Sequence, residues 1–196
     1  VASAGLFGAV VLAEVEEGKF KVVGTWGTGA MYPEHEAPLW SKALPDASGG
    51  KLTAEIQPMT DLGLKGFETV KLLQTGVYDA GFGAYSYIAS GNPVFEGIDL
   101  ALASGSGEEN RRLVEAYEPV VAEAFERIHG VKLLASYPFP AQILVCRGAF
   151  NGLADLKGRK IRVYSTTLGD MAEGLGGVSV TIPLGDVVPA LQRGVV

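Results

Sequence analysis

The sequence predicts an α/β protein made of two successive α/β domains, and three observations carry that expectation. Short β-rich runs alternate with helical runs of about ten residues, the pattern of parallel strands joined by crossover helices. The same plan restarts after Pro138 and Pro140, which interrupt a β-rich stretch without supplying a long linker. Hydrophobic residues make up 47% and charged residues 19% of the 196 positions, with 27 glycines, which fits a globular chain rich in tight turns.

The first strand is expected over 20–25, a β-rich apolar run that ends at glycines. After Pro33, Leu39, Trp40, Ala43 and Leu44 recur at helical spacing, and Gly49-Gly50 ends that helix. Residues 51–57 alternate apolar and polar as a strand closed by Pro58. A helix over 65–74 turns Phe67, Val70, Leu72 and Leu73 inward, and Gly76 separates it from a strand over 77–82. Residues 84–107 are rich in Gly, Ser, Pro and aromatics and read as a long irregular loop of the kind that often carries function. The longest helical pattern is 108–129, with Leu113, Tyr117, Val120, Val121, Ala124, Phe125 and Ile128 on one stripe, a break or kink expected at Pro119 and Gly130 as its cap. Strands follow over 131–137 and 142–146. The second unit then runs strand 160–164, helix 168–175, strand 178–182 and helix 185–193.

With 16 basic and 22 acidic side chains the net charge is −6, and no Lys/Arg stripe exists, so a nucleic-acid partner is not expected. The single cysteine, Cys146, has no second thiol for a disulfide or a metal cluster and lies in an apolar strand as a core residue. Residues 1–13 (VASAGLFGAVVLA) are apolar and uncharged and end in a small-x-small pattern before Glu14, as in the remnant of a secretory signal peptide. That run is too short to span a bilayer, and no other segment is a transmembrane candidate. The chain is expected to be incomplete at both ends.

Candidate chemistry is sparse. The glycines of Gly24-Thr25-Trp26-Gly27-Thr28-Gly29 follow a strand, but their spacing is not that of a dinucleotide loop, and no Gly-Lys-Ser/Thr follows. They read better as a turn that carries Trp26 to a cleft. His35 sits between Glu34 and Glu36 on what reads as a solvated face, and His129 sits at a helix end, where a cation suits the dipole. No nucleophile–base pair, cofactor motif or metal-ligand spacing stands out. In Lys160-Ile161-Arg162-Val163-Tyr164, alternation puts Ile161 and Val163 on one face and Arg162 with Tyr164 on the other. Arg162, at the carboxyl end of a strand, is able to fork two hydrogen bonds to a carboxylate. Taken alone it reads as an exposed surface arginine somewhat more readily than as a ligand group.

The stretch Asp155-Leu156-Lys157-Gly158-Arg159-Lys160-Ile161-Arg162-Val163 resembles the Asp-Leu-Lys-Gly-x-Lys-Ile-Arg-Val segment of the DctP-type solute-binding proteins of tripartite ATP-independent periplasmic (TRAP) transporters. Pro183-Leu184-Gly185-Asp186 through Ala190-Leu191-Gln192-Arg193-Gly194-Val195-Val196 resembles that family's Pro-x-x-Glu-x-x-x-Ala-Leu-Gln-x-Gly-Val-Val/Ile segment, with Asp186 for the usual Glu. Asp61-Leu62-Gly63-Leu64-Lys65-Gly66-Phe67-Glu68 and Gln74-Thr75-Gly76-Val77-Tyr78-Asp79 resemble its helix-to-strand region, so the similarity covers nearly everything after Glu14.

The resemblance implies a periplasmic-binding-protein class II-like α/β fold, two domains with a ligand cleft between them and the second domain incomplete. It implies a leader remnant over 1–13, a first domain over 14–138 and a partial second domain over 139–196. It further implies a periplasmic subunit that takes a small organic acid and passes it to TRAP membrane subunits, with no cofactor and no membrane insertion of its own. In the family the arginine of the Ile-Arg-Val strand grips the ligand carboxylate, a role that carries over to Arg162. Many members place a second arginine where this chain has Ala141-Gln142, so a doubly charged clamp is not expected and Gln142 stands in that position. Trp26, Tyr85 and Phe139 near strand ends suggest an apolar or aromatic wall beside one charged anchor, Tyr164 is a further ligand-binding candidate, and Asp61 or Tyr85 is expected to bridge from the first lobe. A monocarboxylate with a ring-bearing or hydrophobic body is favoured over a small dicarboxylate. The rival readings are an enzyme or a ligand-sensing domain on the same two-lobed scaffold.

Overall fold

A computed structural model describes residues 16–146 and 148–196; the expected leader, 1–13, and the first two residues of the expected first domain lie outside them. Strand β1 (Gly18–Gly24) is the centre of a three-stranded parallel sheet of order β2-β1-β3, with β2 (Leu52–Pro58) on one edge and β3 (Ala80–Gly81) on the other. Gly18 stands opposite Leu52, Gly24 opposite Pro58, and Val22 opposite Ala80. Val22 and Val23 are both buried although they point to opposite faces, as a central strand of a covered parallel sheet requires.

Helix α1 crosses from β1 to β2 through two wide, π-type turns, Tyr32–Glu36 and Leu39–Ala43, into the α-helical turn Leu44–Ala47. Pro33, Pro38 and Pro45 lie along it, each lacking the N–H that regular α geometry uses. Helix α2 (Thr69–Gln74) starts four residues later than its apolar spacing suggests. The reason lies at Gly66, whose φ of +95° leaves helical space and whose missing Cβ leaves room for the Tyr87 ring, 2.7 Å from where that atom would stand.

Residues 84–107 are not the featureless loop that their composition suggests. They form 3₁₀ turns at Tyr85–Gly91 and Pro93–Phe95, and Ala89, Phe95 and Ile98 pack with Val121, Ala124 and Phe125 as the main hydrophobic cluster. That cluster rests on helix α3 (Gly107–Ala124), which is capped by Ser106 accepting from the Glu109 amide at 3.2 Å. The helix continues through Pro119 rather than splitting there, and a wide turn, Phe125–His129, completes it.

The strands expected over 131–137 and 142–146 do not form ladders among the described residues. The chain lies outside regular structure there, and Leu134, Ile143 and Val145 remain exposed. β propensity favours strands, but a strand needs a neighbouring edge to bond to.

Beyond a turn at Leu153–Leu156, the second unit pairs β4 (Lys160–Val163) in parallel with β5 (Val178–Thr181), Arg162 opposite Val180. Helix α4 (Thr166–Gly174) crosses between them with Ser165 as its N-cap, and helix α5 (Val187–Gln192) follows a 3₁₀ turn at Leu184–Asp186. The two units touch directly. The buried Glu96 carboxylate accepts the Thr167 amide in the first turn of α4 at 2.6 Å, where the helix dipole favours an anion. The Thr167 hydroxyl accepts the Ala101 amide at 3.2 Å, and Lys65 pairs with Asp186 at 2.7 Å. No helix among the described residues is long and apolar enough to cross a membrane.

Candidate functional site

The carboxyl ends of parallel strands are where open α/β sheets leave their crevices, and here the ends of both sheets converge. β1 delivers Thr25 and Trp26, β2 leads to Thr60 and Asp61, β3 to the turn bearing Tyr87, and β4 to Arg162 and Tyr164.

Arg162 is half-buried, and its placement follows from strand alternation. Val163 turns into the core, 4% exposed, while Arg162 shares the other face with Tyr164, its guanidinium carbon 5.0 Å from the centre of the Tyr164 ring. Its Nε donates to the Ile182 carbonyl at 2.8 Å, which fixes the plane of the group and leaves the Nη donors directed elsewhere. Burial lowers the pKa of the guanidinium, while Tyr87 and Tyr164 oppose that shift. Those hydroxyls do not neutralise it: burial first, then Asp99, pushes Tyr164 up to about 12, and burial raises Tyr87 as well, so both are protonated at any physiological pH. No carboxylate forms an ion pair with Arg162 among the described residues. A guanidinium in that state has the donors to fork two hydrogen bonds to a carboxylate.

Tyr87 links this cation to the first unit. It is 6% exposed; its ring stacks on Phe67 at 4.3 Å and meets Trp26 and Tyr164 edge-on at 6.3 and 6.1 Å. Its hydroxyl faces Arg162 and the Leu184 amide across the junction of the units. Trp26 in turn meets Phe139 edge-on at 5.7 Å. Arg162, Tyr164, Tyr87, Trp26 and Phe139 therefore form one continuous path from a cation to an aromatic wall. Next to Tyr87 and Tyr164 an open cavity of about 400 Å³ lies between the units, lined by Phe67, Ser86 and Tyr87 on one side and by Tyr164, Ser165 and residues of α4 and β5 on the other; Arg162, Trp26 and Phe139 do not line it.

Of the residues singled out in the sequence, Arg162, Tyr164, Trp26 and Phe139 come together. Asp61 is exposed at the rim, where Thr60 holds it: the Thr60 hydroxyl accepts the Gly27 amide at 3.1 Å and reaches Asp61 at 3.4 Å. Gln142 is exposed in the segment after Phe139. Tyr85 turns away from the cation, its ring 5.9 Å from Phe125 and its hydroxyl 2.5 Å from the Ser136 hydroxyl; two residues further on, Tyr87 occupies the place expected of it.

Sequence reasoning also missed Glu36. It is not on a solvated face but 2% exposed, accepting from the Thr25 amide at 2.7 Å, the Thr25 hydroxyl at 2.8 Å and the Tyr137 hydroxyl at 3.0 Å. A signal was present, since Tyr32, Glu36 and Trp40 recur every fourth residue on one helical stripe. Gly24 makes the approach possible: a Cβ there would lie 2.5 Å from the Tyr32 ring and 3.1 Å from the Glu36 carboxylate.

Against known proteins, the family described as bacterial extracellular solute-binding protein, family 7 (DctP), matches residues 28–196. Among solved structures, DctP7 of Bordetella pertussis, an extracytoplasmic solute receptor binding pyroglutamic acid, matches with a TM-score of 0.82 and 27% identity over 91% of this chain and 58% of its own. A marine metagenome TRAP solute-binding protein in complex with pyroglutamate matches at 0.81 and 24% identity, over 92% and 59%. A TRAP periplasmic solute-binding protein from Desulfovibrio salexigens with bound orotic acid matches at 0.79 and 20%, over 91% and 57%. The chain thus spans less than two thirds of the length of each. No curated protein matches.

Proposed function

The chain belongs to the bacterial extracellular solute-binding proteins of family 7, and on that premise we propose that it captures a small organic acid between its two lobes for a TRAP transporter. The carboxylate docks on the Nη atoms of Arg162, and the body of the acid lies along Tyr164, Tyr87, Trp26 and Phe139, with Gln142 and Asp61 at the edges. One observation carries this reading: a half-buried guanidinium, braced by a backbone carbonyl and an aromatic face, that has no anion of its own among the described residues.

A single cation beside an aromatic wall suits a ring-bearing monocarboxylate, the class to which the pyroglutamate bound by DctP7 belongs. The family supports a binding role rather than a catalytic one, and a periplasmic location with delivery to the membrane subunits accompanies it. The lobes close about the junction where Glu96 meets α4 and Lys65 meets Asp186, with the ligand favouring the shut state through contacts to both sides.

Thermal-shift screening of the full-length protein against an acid library tests the proposal. Ring-bearing monocarboxylates such as pyroglutamate should raise Tm most. Preferential stabilisation by four-carbon dicarboxylates would contradict the ligand class, and no response to any acid would contradict the function.

A further inference from the structure

Behind the aromatic residues lies a buried carboxylate, Glu36, that accepts from Thr25 and Tyr137. Glu36 and Thr25 are 2% and 1% exposed, and no cation pairs with Glu36 among the described residues. A carboxylate buried without a counter-ion is held by its donors, and here three converge: one amide and two hydroxyls. Those donors come from distant parts of the chain: Thr25 at the end of β1, and Tyr137, 101 residues beyond Glu36, in the segment that leads to the second unit.

From these contacts a closed circuit follows. Thr25 precedes Trp26; Trp26 meets Phe139 at 5.7 Å; Phe139 meets Tyr137 at 5.5 Å; Tyr137 returns to Glu36, which holds Thr25. Phe82 at the end of the first sheet backs Tyr137 edge-on at 6.1 Å. Burial, followed by the nearby Glu36 charge, raises the Tyr137 pKa, so its hydroxyl remains a donor.

We infer that Glu36 is a positioning residue for the pocket: by holding Thr25 and Tyr137 from one point, it sets the separation of Trp26 and Phe139 and so selects acids that carry a ring. The inference deepens the proposed function and rests on it for the ligand class, but the placement of Trp26 is open to test without any ligand. A small linear acid that reaches only Arg162 is indifferent to that separation, whereas a ring lying against the wall is not.

Trp26 and Trp40 are the two tryptophans of this sequence, and Trp40, in α1, packs on Phe20 of β1, so a background in which Trp40 and any tryptophan outside this sequence are changed to Phe leaves Trp26 as the sole tryptophan emitter. In that background Tyr137→Phe removes one hydroxyl and keeps every ring, Glu36→Ala removes the hub, and Glu36→Gln preserves it because both hydroxyls are able to turn and accept. Acrylamide quenching of Trp26 should rise about twofold in Tyr137→Phe and Glu36→Ala and stay near the parent value in Glu36→Gln. The pyroglutamate Kd should rise about tenfold, or ~1.4 kcal/mol, in the first two variants while the pyruvate Kd stays within about twofold. Trp26 quenching unchanged in Tyr137→Phe and Glu36→Ala would overturn the inference, as would equal weakening of both acids, which marks a merely structural role. Should Glu36→Ala fail to fold, Tyr137→Phe decides alone. A parent protein that binds neither acid contradicts the proposed function, and the quenching comparison still settles the role of Glu36.

Discussion

Replacing Arg162 by alanine removes the only cationic partner that the proposed site, among the described residues, offers the carboxylate of an acid. A forked guanidinium–carboxylate contact supplies two charge-assisted hydrogen bonds, each worth about 1.5–3 kcal/mol net. Because Arg162 is half-buried rather than fully desolvated, the lower end applies, about 3 kcal/mol in total. That corresponds to a Kd weakened by roughly 150-fold. Lysine keeps the charge but not the fork or the Ile182 brace, and should recover part of the loss, leaving binding down by about tenfold. The unliganded fold depends on Arg162 through the Ile182 hydrogen bond, the Tyr164 ring and the Tyr87 hydroxyl, about 2 kcal/mol together, so Tm should fall by about 4–8 °C. Isothermal titration of parent, Arg162→Lys and Arg162→Ala with pyroglutamate reads all three. A Kd for Arg162→Ala within about threefold of the parent refutes the anchoring role.

Two further perturbations test the surroundings of the site. Gly66→Ala puts a methyl group 2.7 Å from the Tyr87 ring at a φ of +95°, and should cost about 2 kcal/mol or more, seen as a Tm lower by about 4 °C or more; an unchanged Tm would mean that Tyr87 is not packed there. The His129 ring lies on Phe95 at 5.3 Å with its Nε2 buried and unpartnered, and burial lowers its pKa below 6.5. The unfolded chain therefore takes up the proton first as pH falls, and stability should decline just below pH 6.5 until the folded ring also protonates, with no contribution above it. Urea midpoints at about pH 7.5 and about pH 5.5 should show a smaller acid loss in His129→Gln than in the parent; equal losses contradict the sign.

The order of strands and helices was legible because each carries its own period: 20–25, 51–57, 160–164 and 178–182 all became parallel strands where their β-branched runs stand. What lay outside local pattern was less so. Propensity marks 131–137 and 142–146 as strands, yet ladder formation depends on an edge that no described strand supplies. Helix α2 lost its first turn to a contact with Tyr87, remote in sequence. The weakly periodic 84–107 stretch became core because 3₁₀ turns bury Ala89 and Phe95 at spacings that neither the strand nor the α-helix template looks for.

In the site, alternation placed Arg162 beside Tyr164, and strand-end position placed Trp26. Choosing between Tyr85 and Tyr87 required knowing which way a short 3₁₀ segment faces, which no period in Tyr85-Ser86-Tyr87 reveals. Glu36 misled for a different reason. A carboxylate flanked by Glu34 and His35 reads as solvated until its donors, one of them on Tyr137, are seen to converge on it. Burial of a charged group is a tertiary fact, set by partners that local sequence does not name.

The measurement that bears most directly on the central claim is a crystal structure of the full-length protein grown with a bound ring-bearing acid. Both carboxylate oxygens should lie within hydrogen-bond distance of the Arg162 Nη atoms, with Nε still on the Ile182 carbonyl and the ring of the acid against Trp26. An acid seated elsewhere, with the Arg162 guanidinium turned out to water, would contradict the account.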